Sequence, residues 1–550
     1  MTAVLDRPHR AAPAAAPSRA PRLLFAAVLA CYLAVGAVLV FGFDSIMEDA
    51  LSRVAAASSV WWSADPKLAA IGYVWTPLPA LLMLPFTPLR AVWPELVSTG
   101  WLAVVLSATA MAGSVAVLHG ILADLAVRPS ARWTVTVLFT LQPVIVVYSA
   151  NGMTEALLMV CLLAATRRLL RWAGSPGGSD DSGAADGPQL VVAGMLLGLG
   201  YLARYEAIVA AAAATGLVMA VSALRTPHGA RRGATVLGDG LLVGLPAAVA
   251  FVVWAIVSWA VVGSPFEQFT SIYGNAALVA GGRTGGGLAA VGEQLLWLAP
   301  PAVPVMLLAV VRAVRRREAA AAVPPAVFGS VLAFEWALNV AGSLFGFLRY
   351  QIMVVPLVAV LLGILLAGGG PGLRRAGPLL GTAVAAAVLG TSLVSSAALV
   401  LDRPELASQE YLRVRPVADA VTGTGGADTG ANGMWAQDRA LAAWLDGLHL
   451  PPASVLADTG SAFAVIAASD NPRQFLITSD DGFAAALADP PGHGIRYLLR
   501  NEHGGVDTVR NTWADLGTPQ GPTWARRVAV YPGAGPWSYG WTVWAVTPAP

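Results

Sequence analysis

Charge is scarce in this chain. Asp, Glu, Lys and Arg make up 12% of its 550 residues while 56% are hydrophobic, against about 25% charged residues in a typical soluble protein. That deficit excludes an ordinary water-soluble globular architecture. Lys67 is the only lysine, whereas arginine, alanine and glycine abound, the usage of a GC-rich genome such as that of an actinobacterium. A net charge of +2 gives no reason to expect a nucleic-acid partner. The two cysteines, Cys31 and Cys161, both fall inside apolar runs. They read as small packed side chains, not as a disulfide, a reactive thiol or metal ligands. No GxSxG, P-loop, HExxH or cysteine metal motif is present, which argues against those soluble chemistries.

What the chain does have is apolar runs. Several, such as 23–43 and 236–262, reach about 20 residues or more, enough for a hydrocarbon core roughly 30 Å thick. The first follows Arg7, Arg10, Arg19 and Arg22, and Val28-Leu29-Ala30-Cys31 loosely resembles a lipoprotein cleavage site. The run continues to residue 43, too long for a signal-peptide core, so it reads as a retained helix with a cytoplasmic N-terminus. Residues 1–22, rich in Ala and Pro, read as a disordered cytoplasmic segment.

Short basic clusters mark later cytoplasmic loops: Arg128 with Arg132, Arg167-Arg168 with Arg171, Arg225 with Arg231-Arg232, Arg315-Arg316-Arg317, and Arg374-Arg375. Between them the chain must cross outward and return. The outer turns fall near 148–154, at Arg204-Tyr205-Glu206 and at Phe347-Leu348-Arg349-Tyr350. Parity requires an odd number of crossings between Asp44 and Arg128. The stretch 77–93, interrupted by four prolines, is therefore expected to lie on or dip into the outer face, unless Arg90 marks a cytoplasmic turn. The tally is about 11 spans, near 23–43, 97–124, 133–149, 154–171, 189–203, 204–223, 236–262, 293–312, 323–345, 350–367 and 377–400. Residues 173–188 read as a cytoplasmic linker.

The expected fold is thus a polytopic α-helical membrane domain over 23–400, with a first exoplasmic loop at 44–96. An odd span count places residues 401–550 outside. There, short strands near 455–457, 474–478, 495–499, 527–531 and 541–546 alternate with helices near 434–445, 462–468, 483–487 and 506–516, the pattern of a small α/β domain. Residues 422–433 read as a loose loop within it.

Candidate chemistry concentrates in the outer turns. Asp44, Glu48 and Asp49 sit just beyond the first apolar run. Glu48 and Asp49 open a helix, where carboxylates suit the positive end of the dipole, and Arg53 shares a face with Asp49. These charges either stop one helix and cap the next, or one of them is a general base at the membrane surface. A loop of about 50 residues bearing Trp61, Trp62 and Trp75 exceeds what a plain connector needs. Lys67 either snorkels or holds a phosphate. Asn151, Glu155, Arg204, Tyr205, Glu206, Arg349 and Tyr350 line the other turns. Outer-leaflet Arg204 and Arg349 suit an anionic lipid headgroup, or else local pairing such as Arg204 with Glu206. Glu335 lies within a span, where a hydrogen-bonded structural role competes with function. Asp458-Thr459-Gly460-Ser461 and Ser479-Asp480-Asp481-Gly482 read as helix N-caps.

The acidic loop, the GYVWTPLP segment, the NGMTE, LARYEA and FLRY turns and the exported C-terminal domain, in that order and sidedness, resemble the GT-C class of membrane glycosyltransferases. The resemblance covers roughly 23–400. It implies transfer of a sugar from a polyprenyl-phosphate donor to an exoplasmic glycan, lipid or protein, with the enzyme embedded among membrane lipids of the plasma membrane. It implies Asp49 as the catalytic base, with Glu48 and Asp44 as alternatives, because the usual acidic pair is Asp-Glu or Asp-Asp and here it is Glu48-Asp49. Basic residues such as Arg204, Arg349 and Lys67 are expected to contact the lipid phosphate, with Arg53, Glu155, Tyr205, Glu206 and Tyr350 as further substrate contacts. No metal ligand is assigned, though a divalent metal is compatible. A transporter or lipid flippase, and a non-catalytic scaffold or sensor presenting the α/β domain, are the rival readings. The first calls for internal symmetry and broken midplane helices, neither of which the sequence shows.

Overall fold

The structure is a computed structural model that describes residues 20–175, 183–280, 287–367, 377–424, 433–503, 506–533 and 539–547. The first 19 residues, part of the 173–188 linker, Arg374-Arg375 and most of the 422–433 loop lie outside the described residues.

Among the described residues, seven helices are long and apolar enough to cross a membrane. Two helix pairs, Pro129–Thr140 with Pro143–Ala150 and Leu288–Leu298 with Ala302–Arg316, qualify jointly but are bent by 56° and 78°. Proline causes both breaks, since Pro143 and the Pro300-Pro301 pair cannot donate to the preceding turn. Two further helices, Glu155–Gly174 and Gly183–Ala203, coincide with the remaining expected spans. Cys161 is buried in the first of these. Cys31, expected to be packed, is instead exposed on the surface of its helix, which has one face without protein neighbours.

The proline-rich stretch forms Leu78–Met83 followed by a 3₁₀ turn, Leu84–Ala91, too short to span. Arg90 ties it to the C-terminal domain. Its guanidinium donates to the Ser469 carbonyl at 2.6 Å and to Ser58 Oγ at 3.2 Å. Arg90 therefore lies at the same end of the bundle as that domain and marks no turn at the opposite end.

The C-terminal sheet has five strands: β1 (Val455–Ala457), β2 (Phe475–Ile477), β3 (Tyr497–Asn501), β4 (Ala525–Tyr531) and β5 (Trp541–Val546). Their order is β2-β1-β3-β5-β4, with β1 parallel to β2 and β3 and with β5 antiparallel to β3 and β4. Alternation divides the strand side chains between two cores. Val455, Ala457, Phe475 and Ile477 face Leu441, Leu445 and Val465, whereas Leu456, Leu476 and Leu498 face Phe483, Val509 and Trp544. A helix not expected from the sequence, Ser408–Thr422, joins the last membrane helix to this domain.

Asp458 fixes the domain to the membrane part. It is fully buried, caps the Thr459–Ala468 helix by accepting from Gly460 N at 2.7 Å, and accepts from Thr508 N and Oγ1, both at 2.7 Å. Tyr273, from the segment between two membrane helices, also donates to it at 2.8 Å. Asp458→Ala removes the cap and strands these donors, so it is expected to cost about 2–4 kcal/mol, read as a lowered thermal midpoint in detergent micelles. A midpoint equal to wild type refutes this anchoring role.

Candidate active site

The helix Glu48–Trp62 positions the site. It begins immediately after the first membrane helix, where a π-turn over Val38–Gly42 and a left-handed Asp44 (φ 49°) redirect the chain. Its inward face, including Ala50, Leu51, Val54 and Ala57, is buried. Gly152 of the NGMTE turn presses against it. A Cβ at that glycine would stand 2.9 Å from the Ala50 Cβ, and its φ of +79° already favours glycine. This contact sets the distance between the acidic helix and the Glu155 turn.

The three acidic residues of the first loop are separated by their partners. Asp44 is held by both Arg439 nitrogens at 2.7 and 2.6 Å. Glu48 accepts from Arg413 Nη2 at 3.0 Å and Asp49 from Arg349 Nη1 at 3.0 Å. Only Glu48 and Asp49 face the main cavity, a space of about 420 Å³ also lined by Ser52, Tyr73, Trp75 and Arg349. Asp44 is a clamp on the C-terminal domain.

Behind Arg349 runs a chain of alternating charge. Arg349 Nε lies 4.0 Å from Glu155 Oε1, which accepts from Arg204 Nη1 at 2.7 Å. Arg204 is in turn bound to Glu206 Oε1 at 2.5 and 2.9 Å. Glu335, expected within a span, is buried in the helix Ser330–Val340 at 2% exposed. Arg349 also lies over the Phe347 and Tyr350 rings, 5.0 and 5.3 Å from their centroids. Burial alone raises the Asp49 carboxyl. The charges of Arg349 and then Arg53 outweigh burial and hold it below the usual carboxylate range.

The remaining expected site residues divide by position. Arg53 is buried, donates to the Asp49 carbonyl at 3.1 Å and stacks over Trp75 at 4.5 Å. Tyr205 packs edge-on against Phe269 and Phe334, and Tyr350 is buried beside Phe347. Glu155, Arg204, Tyr205, Glu206 and Tyr350 thus form support beneath the cavity and do not line it. Lys67 stands apart, bound by Asp65 at 2.7 Å and Asp481 at 2.6 Å. With two carboxylates already on its ammonium, it latches the first loop to the C-terminal domain.

Sequence reading missed the contribution of Ser408–Thr422. Its Gln409 lines the cavity, Glu410 accepts a short hydrogen bond from the Tyr148 hydroxyl, and Arg413 holds Glu48. The buried positions 409, 410, 413 and 416 have helical spacing. Pro416 and the polar character of that inward face hid the signal.

Of the three acidic residues, Glu48 and Asp49 share the cavity wall. Among the described residues no group of three or more His, Cys, Asp or Glu side chains converges, and the acidic trio is dispersed onto three arginines.

No protein-family model matches the chain, and no curated protein is significantly similar to it. Solved structures are similar. ArnT from Cupriavidus metallidurans bound to undecaprenyl phosphate aligns over 96% of this chain and 98% of its own, with a TM-score of 0.55 and 15% identity. The same protein in its apo state aligns over 95% and 97%, with a TM-score of 0.52 and 15% identity. The fold is of the GT-C type. The archaeal oligosaccharyltransferase AglB from Archaeoglobus fulgidus, in complex with an inhibitory peptide and a dolichol-phosphate, aligns over 88% of this chain and 70% of its own at 11% identity and a TM-score of 0.47.

Within this GT-C fold Arg204 neutralises two carboxylates, each of which is no more than 2% exposed. Arg204→Met leaves Glu206 without its cation and Glu155 with only Arg349, 4.0 Å away. The expected loss is about 3–5 kcal/mol, measured as a drop in thermal midpoint. Adding Glu206→Gln to that variant should recover part of the loss, and failure to do so argues against the pairing.

Proposed function

We propose that this chain is a plasma-membrane glycosyltransferase that moves a sugar from a polyprenyl-phosphate donor to an exoplasmic glycan, lipid or protein acceptor. The observation that carries the proposal is the Asp49 carboxylate, 3.0 Å from Arg349, at the wall of a large cavity where the membrane helices meet the C-terminal domain. The fold likeness to a protein bound to undecaprenyl phosphate supports a lipid-phosphate donor.

The geometry suggests a direct displacement. Asp49 takes the proton of an acceptor hydroxyl as its oxygen forms a bond to the anomeric carbon. The bond from that carbon to the phosphate oxygen breaks, and polyprenyl phosphate departs with inversion. A phosphate leaving group is already a stable anion, so one base suffices and no separate acid is required. Arg349 lines the cavity and stabilises charge growing on the phosphate. It also keeps Asp49 ionised. Arg204 acts one layer back, by orienting Glu155 beneath Arg349.

The sidedness follows from charge. The helix Glu155–Gly174 begins at the site and ends at Arg171, which with Arg167 binds Asp124 at the far end of the bundle. The basic end is cytoplasmic by the positive-inside rule, as is the N-terminus, and the cavity and residues 401–550 are exoplasmic.

Asp49→Asn should reduce transfer by about 10²–10⁴-fold in protein that remains folded at the assay temperature, assayed by following a lipid-linked sugar in nanodiscs. Undiminished transfer removes Asp49 as the base. In the wild type Asp49 stays ionised, so the rate should hold flat down to about pH 4. The stabilising contribution of the depressed carboxyl is likewise complete above about pH 4 and lost as pH falls through its folded value. Arg349→Met leaves burial less opposed, so the acid limb of the pH–rate profile should move to higher pH. An acid limb that stays in place excludes Arg349 as the group holding Asp49 ionised.

A further inference from the structure

The cavity has two chemically different walls. The membrane side supplies Glu48, Asp49, Glu267 and Arg349. The C-terminal side supplies Thr459, Phe463, Thr478, Ser479, His503 and Tyr539, with no Asp, Glu, Lys or Arg among its described lining residues. Such a division is unexpected for a domain that elsewhere carries ordinary surface charge, including Asp481 next to Ser479 and Arg510 near Val506. Those charges are turned away. Asp481 is spent on Lys67, and Arg510 binds Asn501 at 2.7 Å.

Two residues that line this cavity each carry a buried polar atom that lacks a partner within the protein. Gln409 is 6% exposed, and its Oε1 accepts no hydrogen bond. Ser479 Oγ is also buried without a partner. By contrast, the Thr459 and Thr478 hydroxyls bond each other, and Tyr273 is committed to Asp458. An unpartnered buried polar atom is costly, so a bound molecule that supplies hydroxyls relieves that cost. Trp75, Phe463 and Tyr539 add aromatic rings to the lining, side chains that suit the C–H faces of a pyranose or furanose. A few convergent polar groups on an otherwise apolar and aromatic wall are the usual makeup of a small-molecule site.

We propose that the acceptor is an uncharged glycan, held against the C-terminal wall by Gln409 and Ser479 with its reactive hydroxyl toward Asp49. The proposal rests on the transferase reading above and narrows its acceptor class. An acceptor bearing phosphate or carboxylate would meet no Lys or Arg on this wall, and on the other would meet Glu48, Asp49 and Glu267 beside Arg349, the cation already assigned to the donor phosphate. A peptide chain would leave most of its backbone donors and acceptors unpaired against ring faces. In the transfer, the glycan hydroxyl gives its proton to Asp49 and its oxygen takes the sugar from the departing lipid phosphate.

The test uses the full chain in nanodiscs and saturation-transfer NMR with three probe sets. These are neutral hexose and pentose oligosaccharides, the same oligosaccharides phosphorylated, and a Ser/Thr-containing peptide of zero net charge. Neutral oligosaccharides should bind at least about tenfold more tightly than the other two sets, and Gln409→Ala and Ser479→Ala should each weaken them by about tenfold. Gln409→Glu keeps the side-chain volume and should weaken phosphorylated probes further still. Equal or tighter binding of phosphorylated probes or peptide overturns the proposal, as does unchanged affinity in both alanine variants. Binding of undecaprenyl phosphate, measured in parallel, tests the transferase reading separately. Its absence from wild type defeats that reading, while the oligosaccharide series reports on the C-terminal wall alone.

Discussion

Cations buried at the end of a membrane bundle must be matched by carboxylates, and most of the site follows from that constraint. Asp49, Arg349, Glu155, Arg204 and Glu206 alternate in sign, with no link longer than 4.0 Å. No member is replaceable alone, because removing one leaves a charge of known sign in a poorly hydrated place. The chain also fixes direction. Its supporting end lies among the membrane helices, and its Asp49 end opens on the cavity.

The C-terminal domain is joined to this network by more than the covalent chain. Arg413 reaches Glu48, Arg439 reaches Asp44, Arg90 reaches the Ser469 carbonyl, and Tyr273 reaches Asp458. Each contact pairs a residue of the membrane part or its first loop with one that follows the last membrane helix. The acidic residues that open the first loop therefore serve two ends. Asp44 and Glu48 bind arginines that follow the last membrane helix, and Glu48 and Asp49 face the cavity. Three similar carboxylates thus acquire different duties from their partners alone.

The membrane architecture was legible because it rests on hydropathy and on the sidedness of arginine, both local signals. The strands were legible for a similar reason, and the β5 range read from the sequence coincides with Trp541–Val546. The acidic helix and the three turns were legible as chemistry but not as geometry. Nothing in spacing says that Arg349 reaches Asp49, or that Arg204 serves Glu155 and Glu206 as support. Lys67 read either as a snorkelling side chain or as a phosphate ligand, because Asp481, over four hundred residues away, was invisible to local reasoning. Ser408–Thr422 was overlooked because Pro416 sits within it and its buried face is polar, so neither propensity nor periodic hydrophobicity marked it. Gln409 and Arg413 were lost with it.

One helix of the bundle stands out by its surroundings. Leu348–Leu366, which opens with Arg349 in its first turn, is 94% buried by other protein elements, whereas Arg232–Val262 is 22% buried and the first helix 28%. Helices that touch lipid tilt or shift when the bilayer thickens or thins. The helix carrying Arg349 has almost no lipid contact through which such a force acts. Hydrophobic mismatch is therefore absorbed at the periphery, and the depth of the cation is referenced to the protein and not to the surrounding leaflet.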